Sequence, residues 1–311
     1  MTVERWARRQ STIGIACAVS SGLLFSVSTV CAAKALQLGS SVVAVSAGRV
    51  FVACALVWLL GTLVGRDPTT ATQRLRLMAV GTLTSVQVLL LYQAVEQVSA
   101  SLAVLLLYSY PMLVAVMSAL FLHERMTAMK IAAVAITVAG AALVVGRPNG
   151  TVTVMGVLCG LGAGLALATY IVLAARVTQG FTPLTSASWM QLGSVVVMVP
   201  VVAVRASGSW VTPGWPWAVG VGLASGAASA FFLGGIRRLT PTVASTASTI
   251  EPITTALLAA LLVGDSFSPP QMVGGALIVV SLVLVARTPA AAALRQPSDD
   301  GGVAKPEQPP P

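Results

Sequence analysis

The chain is built from ten apolar segments, each about as long as a helix that crosses a lipid bilayer. A spanning helix needs roughly 20 mostly apolar residues. Only 9% of the 311 residues are charged, whereas soluble domains average about 25%, so a soluble fold would have too little polar surface. The sequence therefore predicts an all-α membrane protein with ten transmembrane helices, at 13–35, 42–64, 75–96, 99–122, 128–146, 155–177, 183–204, 215–236, 243–263 and 271–286.

The net charge of +9 points to membrane orientation rather than to nucleic acid, because basic residues of membrane proteins collect on cytoplasmic loops. With the N-terminus placed in the cytoplasm, 14 basic residues fall inside and three fall outside, at Lys34, Arg147 and Arg205. We therefore expect an inner-membrane protein with both termini cytoplasmic. A cleaved signal peptide is the less favoured alternative, since the first apolar run is longer than the usual core of about 7–15 residues.

The second half of the chain repeats the first. Pro111 and Pro252 are 141 residues apart, and so are Glu124 and Asp265, while the earlier part of each half aligns at an offset of 142. Each half has five predicted spans, and five is odd, so the second half must be inserted upside down. Transporters with such inverted repeats hold substrate near the bilayer midplane, between the halves.

The domain boundaries follow from this repeat. We expect a cytoplasmic N-terminus at 1–12, a first repeat at 13–146, a second at 155–287, and a disordered cytoplasmic tail at 288–311. The tail has no hydrophobic periodicity and is rich in Ala, Pro, Asp and Gly, as disordered segments are.

The repeated motifs resemble those of a known family. Glu251-Pro252, an apolar run, Gly264-Asp265 and the Pro270–Ile278 segment are similar to the closing hairpin of the EamA family, in the drug/metabolite transporter (DMT) superfamily. Leu122-His-Glu-Arg125 with Ala139-Gly140 resembles the first-half copy, and Gly48-Arg49 resembles the arginine-bearing second helix. The resemblance covers about residues 13–287.

The resemblance implies ten helices, a central cavity lined mainly by helices 1, 3, 4, 6, 8 and 9, and export of small metabolites or amino acids. The chain departs from the family pattern at two positions. Asp265 stands where Glu is usual, and Tyr110 replaces the acid that often precedes the proline. The second change leaves a single midplane carboxylate, which disfavours a two-carboxylate coupling scheme.

Glu251 and Arg49 are charged residues inside apolar spans. Such residues are costly in a bilayer and usually face a partner or a wet cavity. Glu251 is a candidate for a substrate or proton site, and a structural ion pair is the alternative. Arg49 has three possible roles: pairing with Glu251, pairing with Glu96, or extending to the outer interface.

Polar side chains along the spans are further candidates for the lining of a mildly polar cavity. Alone, each one more often bonds its own backbone or a neighbouring helix. Pro111 and Pro252 are hinge or gate candidates, because a proline inside a helix leaves a carbonyl without its donor. The cavity candidates besides Glu251 and Arg49 are Tyr92, Tyr108, Tyr110, Tyr170, Gln87 and Ser248.

The sequence carries no catalytic or metal-binding pattern. Its one histidine, His123, has no HExxH context, and the four cysteines lie inside apolar runs without ligand spacing. We therefore expect no enzyme activity, no metal and no cofactor, with the bilayer and a small molecule as partners and the proton as a candidate coupling ion. The predicted function is export of a small metabolite, such as an amino acid, by alternating access. Proton-coupled efflux of cationic drugs and a non-transporting scaffold are the alternatives.

Overall fold

A computed structural model describes residues 2–98, 100–145, 152–205, 212–263 and 268–287. Asp265, Arg147 and the tail at 288–311 lie outside these ranges. The described residues form twelve helices and no strand: α1 Thr2–Gln37, α2 Val42–Val64, α3 Ala71–Val95, α4 Ala100–Leu107, α5 Tyr110–Phe121, α6 Ala128–Val145, α7 Val154–Val177, α8 Pro183–Arg205, α9 Trp215–Ile236, α10 Pro241–Ser248, α11 Glu251–Val263 and α12 Pro269–Ala286.

Helix length and composition support a multi-pass membrane protein. Within the described ranges, eight helical segments are long and apolar enough to cross a membrane, and Pro269–Leu284 in α12 is a shorter apolar helix. Polar caps define several of the helix starts. At the start of α3, the Thr70 hydroxyl accepts from the backbone N–H of Gln73 while the Gln73 side chain bonds the backbone N–H of Thr70, which satisfies two otherwise unpaired donors.

Two of the sequence-predicted spans are interrupted rather than continuous. The span at 99–122 is divided into α4 and α5, and the span at 243–263 into α10 and α11. Each second helix has its proline, Pro111 or Pro252, at its second residue, where a missing N–H does no harm. The two interruptions occupy equivalent positions in the two repeats.

The two halves pack in a reciprocal pattern. Helix α1 packs against α9, and the equivalent helix of the second half, α7, packs against α3. Likewise α2 packs on α9 as α8 packs on α3, and α6 packs against its own counterpart α12. This exchange of contacts is what an approximate two-fold axis between the repeats produces.

Glycines allow the closest of these contacts. A Cβ atom added to Gly156, Gly160 or Gly164 of α7 would approach Val98, Leu106 or Ser109, respectively, to within 3.0 Å. The spacing of these three glycines predicts such a close packing face from the sequence alone, and the structure confirms it.

Candidate functional site

A cavity of about 520 Å³ lies between the two halves, beside both helix interruptions. Its volume falls in the range of about 300–1,000 Å³ that small-molecule sites occupy. Every helical span except the last contributes to the lining. The polar and charged lining residues are Thr29, Arg49, Thr84, Gln87, Tyr108, Tyr110, Tyr170, Gln191, Ser225, Ser229, Ser248, Glu251 and Thr255.

Much of the lining consists of residues that are equivalent in the two repeats, so the cavity surrounds the approximate two-fold axis. The charges, however, do not follow this symmetry. Arg49 faces the cavity from the first half where its counterpart is Gln191, and Glu251 does so from the second half where its counterpart is Tyr110. The other equivalent pairs are Phe25/Leu167, Thr29/Ile171, Thr84/Ser225, Val88/Ser229, Leu91/Phe232 and Leu107/Ser248.

Glu251 is positioned by the interruption between α10 and α11. It is the first residue of α11, and its carboxylate Oε1 accepts a long hydrogen bond of 3.3 Å from the Thr29 hydroxyl of α1. The Ser26 hydroxyl, one turn earlier on α1, donates to the Glu251 backbone carbonyl at 3.0 Å. The helix start is therefore fixed to α1, while the carboxylate is left facing the cavity.

Arg49 faces the same cavity from α2 without a carboxylate at ion-pair distance among the described residues. Among the described residues, the one ion pair within 4.0 Å joins Lys130 to Glu124, so Arg49 and Glu251 are not in direct contact. The Arg49 guanidinium carbon lies 5.7 Å from the centre of the Phe25 ring. Glu96, the other partner considered for Arg49, accepts a hydrogen bond from Gln93 instead.

Buried hydroxyl groups form one wall of the cavity. The Tyr110 hydroxyl lies 3.1 Å from that of Thr249 and 3.4 Å from that of Ser248. It also donates to the carbonyl of Ser245 at 3.4 Å. The Tyr108 ring is 6.3 Å from the Tyr110 ring, centre to centre. These contacts join the interruption in the first half to the interruption in the second.

The structure brings most of the sequence-predicted site residues together, with two exceptions. Tyr92, near the end of α3, and Pro111 are not part of the lining, although Pro252 is. Gln191 was not among the predicted candidates, although its equivalence to Arg49 indicates it. Thr29, Thr84, Ser225, Ser229 and Thr255 were not predicted either, because hydroxyl residues in membrane helices give no signal of the direction they face.

Hydrogen bonds join the two halves at the end of the bundle where α5 leads into α6. Glu124 and Lys130 form an ion pair of 2.7 Å, with side chains only 4% and 2% exposed. Thr242, at the start of α10, donates to the second carboxylate oxygen of Glu124 at 2.9 Å. Arg176 at the end of α7 donates to the Phe121 carbonyl at the same end.

Equivalent helices differ in burial at the two ends of the cavity. Every residue of α10 is buried. In its counterpart α4, Leu102 and the residues from Val104 to Leu107 are only half-buried, although Ala103 is fully buried. Two equivalent helices, one from each repeat, are therefore buried to different extents in the same structure.

The family relationship is decided by a match over both halves. A model of the EamA-like transporter family matches residues 12–146 and 154–287. The chain belongs to the EamA-like transporter family. It is thus a DMT-type membrane transporter, and the resemblance noted in the sequence is confirmed. Because EamA proteins are transporters, the membership is consistent with a protein that is not an enzyme.

Comparison of folds agrees with this assignment. A solved protein crystal structure superposes with a TM-score of 0.75 at 18% identity, covering 87% of this chain and 95% of the other. It is one of 29 solved chains that match. At this identity the likeness establishes the fold alone. No curated protein matches the chain in sequence.

Proposed function

We propose that the protein exports a small amphipathic zwitterion, such as an amino acid, across the inner membrane by alternating access. One observation carries the substrate class. A positive and a negative side chain line the same cavity, from opposite halves, without a direct ion pair between them. Charges without a direct ionic contact are costly inside a membrane, and a zwitterion would supply such a contact to both.

The proposed topology has ten crossings in two inverted halves, with both chain ends in the cytoplasm. The excess of basic residues on one set of loops supports this orientation. In that frame, the end at Glu124 and Thr242 faces the cytoplasm, and the cavity faces outward. Glu251 and Arg49 would then bind the ammonium and the carboxylate of the substrate, respectively.

Transport by the purified protein in liposomes tests the proposal. We expect counterflow of zwitterionic amino acids above that of empty liposomes. Glu251→Gln and Arg49→Gln should each weaken apparent affinity by about tenfold to a hundredfold, the loss expected for one charged hydrogen bond of about 1.5–3 kcal/mol. Glu96→Gln makes the same chemical change on an exposed residue outside the lining and should leave transport unchanged.

The separation of Arg49 from Glu251 also favours a second candidate, efflux of cationic drugs. A carboxylate without a direct ionic contact attracts a cation. Arg49→Gln would then preserve or improve transport of cationic amphiphiles, while Glu251→Gln would abolish it.

The Glu251→Gln variant also tests proton coupling. If it keeps undiminished pH-driven transport, coupling through this acid is excluded. Absence of flux for every solute in the panel would favour a membrane scaffold.

The unequal burial of α4 and α10 supports alternating access. If the halves exchange conformations, α4 becomes buried as α10 is now, and α10 opens as α4 does. Val104 and Ser245 are equivalent residues of these helices, and they report on the two ends separately. Val104 lines the cavity, whereas Ser245 is 0% exposed.

Thiol labelling of these two positions measures the exchange. In a background without the four native cysteines, Val104→Cys should react with a membrane-impermeant reagent added outside. Ser245→Cys should be protected from the same reagent when it is added to the cytoplasmic face, in inverted vesicles. Addition of a transported substrate should change the two labelling rates in opposite directions. Rates that rise together, or that ignore a substrate carried in the flux assay, would contradict alternating access.

A further inference from the structure

Two arginines and two tryptophans form a cluster at the membrane end where α2 leads into α3. The Arg66 guanidinium lies 3.9 Å from the centre of the Trp58 ring, and the Arg74 guanidinium lies 5.0 Å from the centre of the Trp189 ring. The two indoles meet edge to face, with ring centres 5.2 Å apart. The cluster thus joins α2, the following loop, α3 and α8.

The cluster is fixed in place by contacts outside the four side chains. Trp58 Nε1 donates to the Ser188 carbonyl at 3.0 Å, and Arg74 Nε donates to the Thr69 hydroxyl at 2.9 Å. Gly61 makes room for Arg66, since a Cβ atom there would lie 2.9 Å from Arg66 Nε. Arg66 is therefore held folded back against α2 rather than extended into solvent.

Neither guanidinium is neutralised by a nearby acid. Within the described part of the chain, no carboxylate lies within 4.0 Å of Arg66 or Arg74. Asp67, the adjacent acid, accepts from the Thr182 backbone N–H at the start of α8. Burial opposes its ionisation, but hydrogen bonds from Thr182 and Thr185 and the charge of Arg237 outweigh that and lower the pKa of Asp67.

The surroundings of the cluster are those of the lipid interface. Leu63 and Val64 at the end of α2 are 73% and 78% exposed, and Leu75 in the first turns of α3 is 68% exposed. These apolar side chains lie within three residues of Arg66 or Arg74, so acyl chains could cover them while the arginines meet the headgroups. Tryptophan side chains are enriched at this depth in membrane proteins.

We propose that Arg66 and Arg74, held on Trp58 and Trp189, bind the phosphate of an anionic phospholipid. A guanidinium that stacks on an aromatic face keeps its N–H edge free for a phosphate, which it binds through two parallel hydrogen bonds. Basic sites between helices at a membrane end suit anionic headgroups. The adjoining exposed leucines provide the surface for the acyl chains.

The test is lipid binding by the full-length protein. Native mass spectrometry and thermal unfolding, with titration of phosphatidylglycerol or phosphatidylcholine, measure retention and stabilisation. The double variant Arg66→Gln/Arg74→Gln should lose about tenfold in apparent affinity for phosphatidylglycerol and should be unaffected in phosphatidylcholine. Arg9→Gln/Arg76→Gln removes the same charge at two exposed arginines that are not stacked on a tryptophan in the described part of the chain, and it should change the affinity by less than about threefold.

A third variant separates lipid binding from packing. Gly61→Ala keeps both arginines but displaces Arg66, so it should weaken phosphatidylglycerol binding without any change in net charge. The proposal is overturned if the Arg66/Arg74 variant loses stability equally in both lipids, or if the control variant loses as much affinity. Competition by glycerol phosphate at the same concentration as the lipid would identify a site for free phosphates instead.

Discussion

Glu124→Gln should destabilise the protein by about 3–5 kcal/mol, the cost of leaving a buried charge without its partner. Lys130 is 2% exposed and its ammonium contacts Glu124 at 2.7 Å, so the substitution leaves a cation that water cannot reach. The amide oxygen of the new glutamine and the Arg125 carbonyl, 3.3 Å from Lys130, can accept hydrogen bonds from the ammonium but do not neutralise it. Thermal unfolding in detergent, compared with the unsubstituted protein, measures the loss.

Removal of both charges should restore most of this stability. A buried ion pair replaced by uncharged groups of similar volume is often neutral, so Glu124→Gln/Lys130→Met should be more stable than either single variant. Glu96→Gln, an exposed acid bonded to Gln93, is the matched control and should cost less than about 0.5 kcal/mol. A double variant that is no better than the sum of the single variants would show that the two side chains act independently.

The same substitution should also affect access to the cavity. Thr242 bonds the second oxygen of Glu124, which holds the start of α10 against the first half. In the double variant the charge cost is gone but this contact is weakened, so labelling of Ser245→Cys should increase. Thermal unfolding then measures the stability at this end of the cavity, and the labelling rate of Ser245→Cys measures its accessibility.

The positions of most helices follow from the sequence because span length is a property of the sequence itself. The predicted span at 42–64 coincides with α2. The predicted span at 75–96 begins four residues later than α3 because apolar length alone overlooks the polar first turn that the capping residues Thr70 and Gln73 start. Glu251 and Arg49 were selected because a charge in an apolar run is visible without any structure.

The remaining features depend on which helix faces meet, and membrane helices give little indication of this. A proline predicts a kink, but the division of α4 from α5 also depends on the packing around Tyr108 and Tyr110. The sequence does not indicate that Lys130 pairs with Glu124, because the two are six positions apart across the connection between α5 and α6. The stacking of Arg66 on Trp58 likewise requires Gly61, whose role appears only when the side chains are placed.

Gly81→Ala should also cause a large loss of stability, by preventing the closest crossing of two helices. A Cβ atom at Gly81 of α3 would lie 1.9 Å from the Met190 carbonyl oxygen of α8, and one at Gly193 would lie 2.0 Å from the Met78 carbonyl oxygen. Both obstacles are backbone atoms, which cannot rotate away. The helices must separate, at a cost of about 1–3 kcal/mol or more for an overpacked site.

The separation should extend to the cavity. The Ser194 hydroxyl donates to the Gly81 carbonyl at 2.8 Å, and the Ser85 hydroxyl donates to the Ser194 carbonyl at 2.9 Å. These contacts set the spacing of α3 and α8, which carry the lining residues Thr84, Gln87 and Gln191. Gly81→Ala should therefore weaken substrate affinity as well as lower the unfolding temperature.

Gly162→Ala is the control with the opposite expected sign. A Cβ atom at Gly162 meets only Leu90, at an ordinary contact distance of 3.4 Å, so the substitution gains the helix propensity of alanine, about 0.5–1 kcal/mol, without a clash. The two variants add the same methyl group to a helix interior and differ only in what faces it. If Gly81→Ala proves as stable as Gly162→Ala, the α3–α8 crossing is wider than the structure has it, and the spacing of the cavity walls must be set elsewhere.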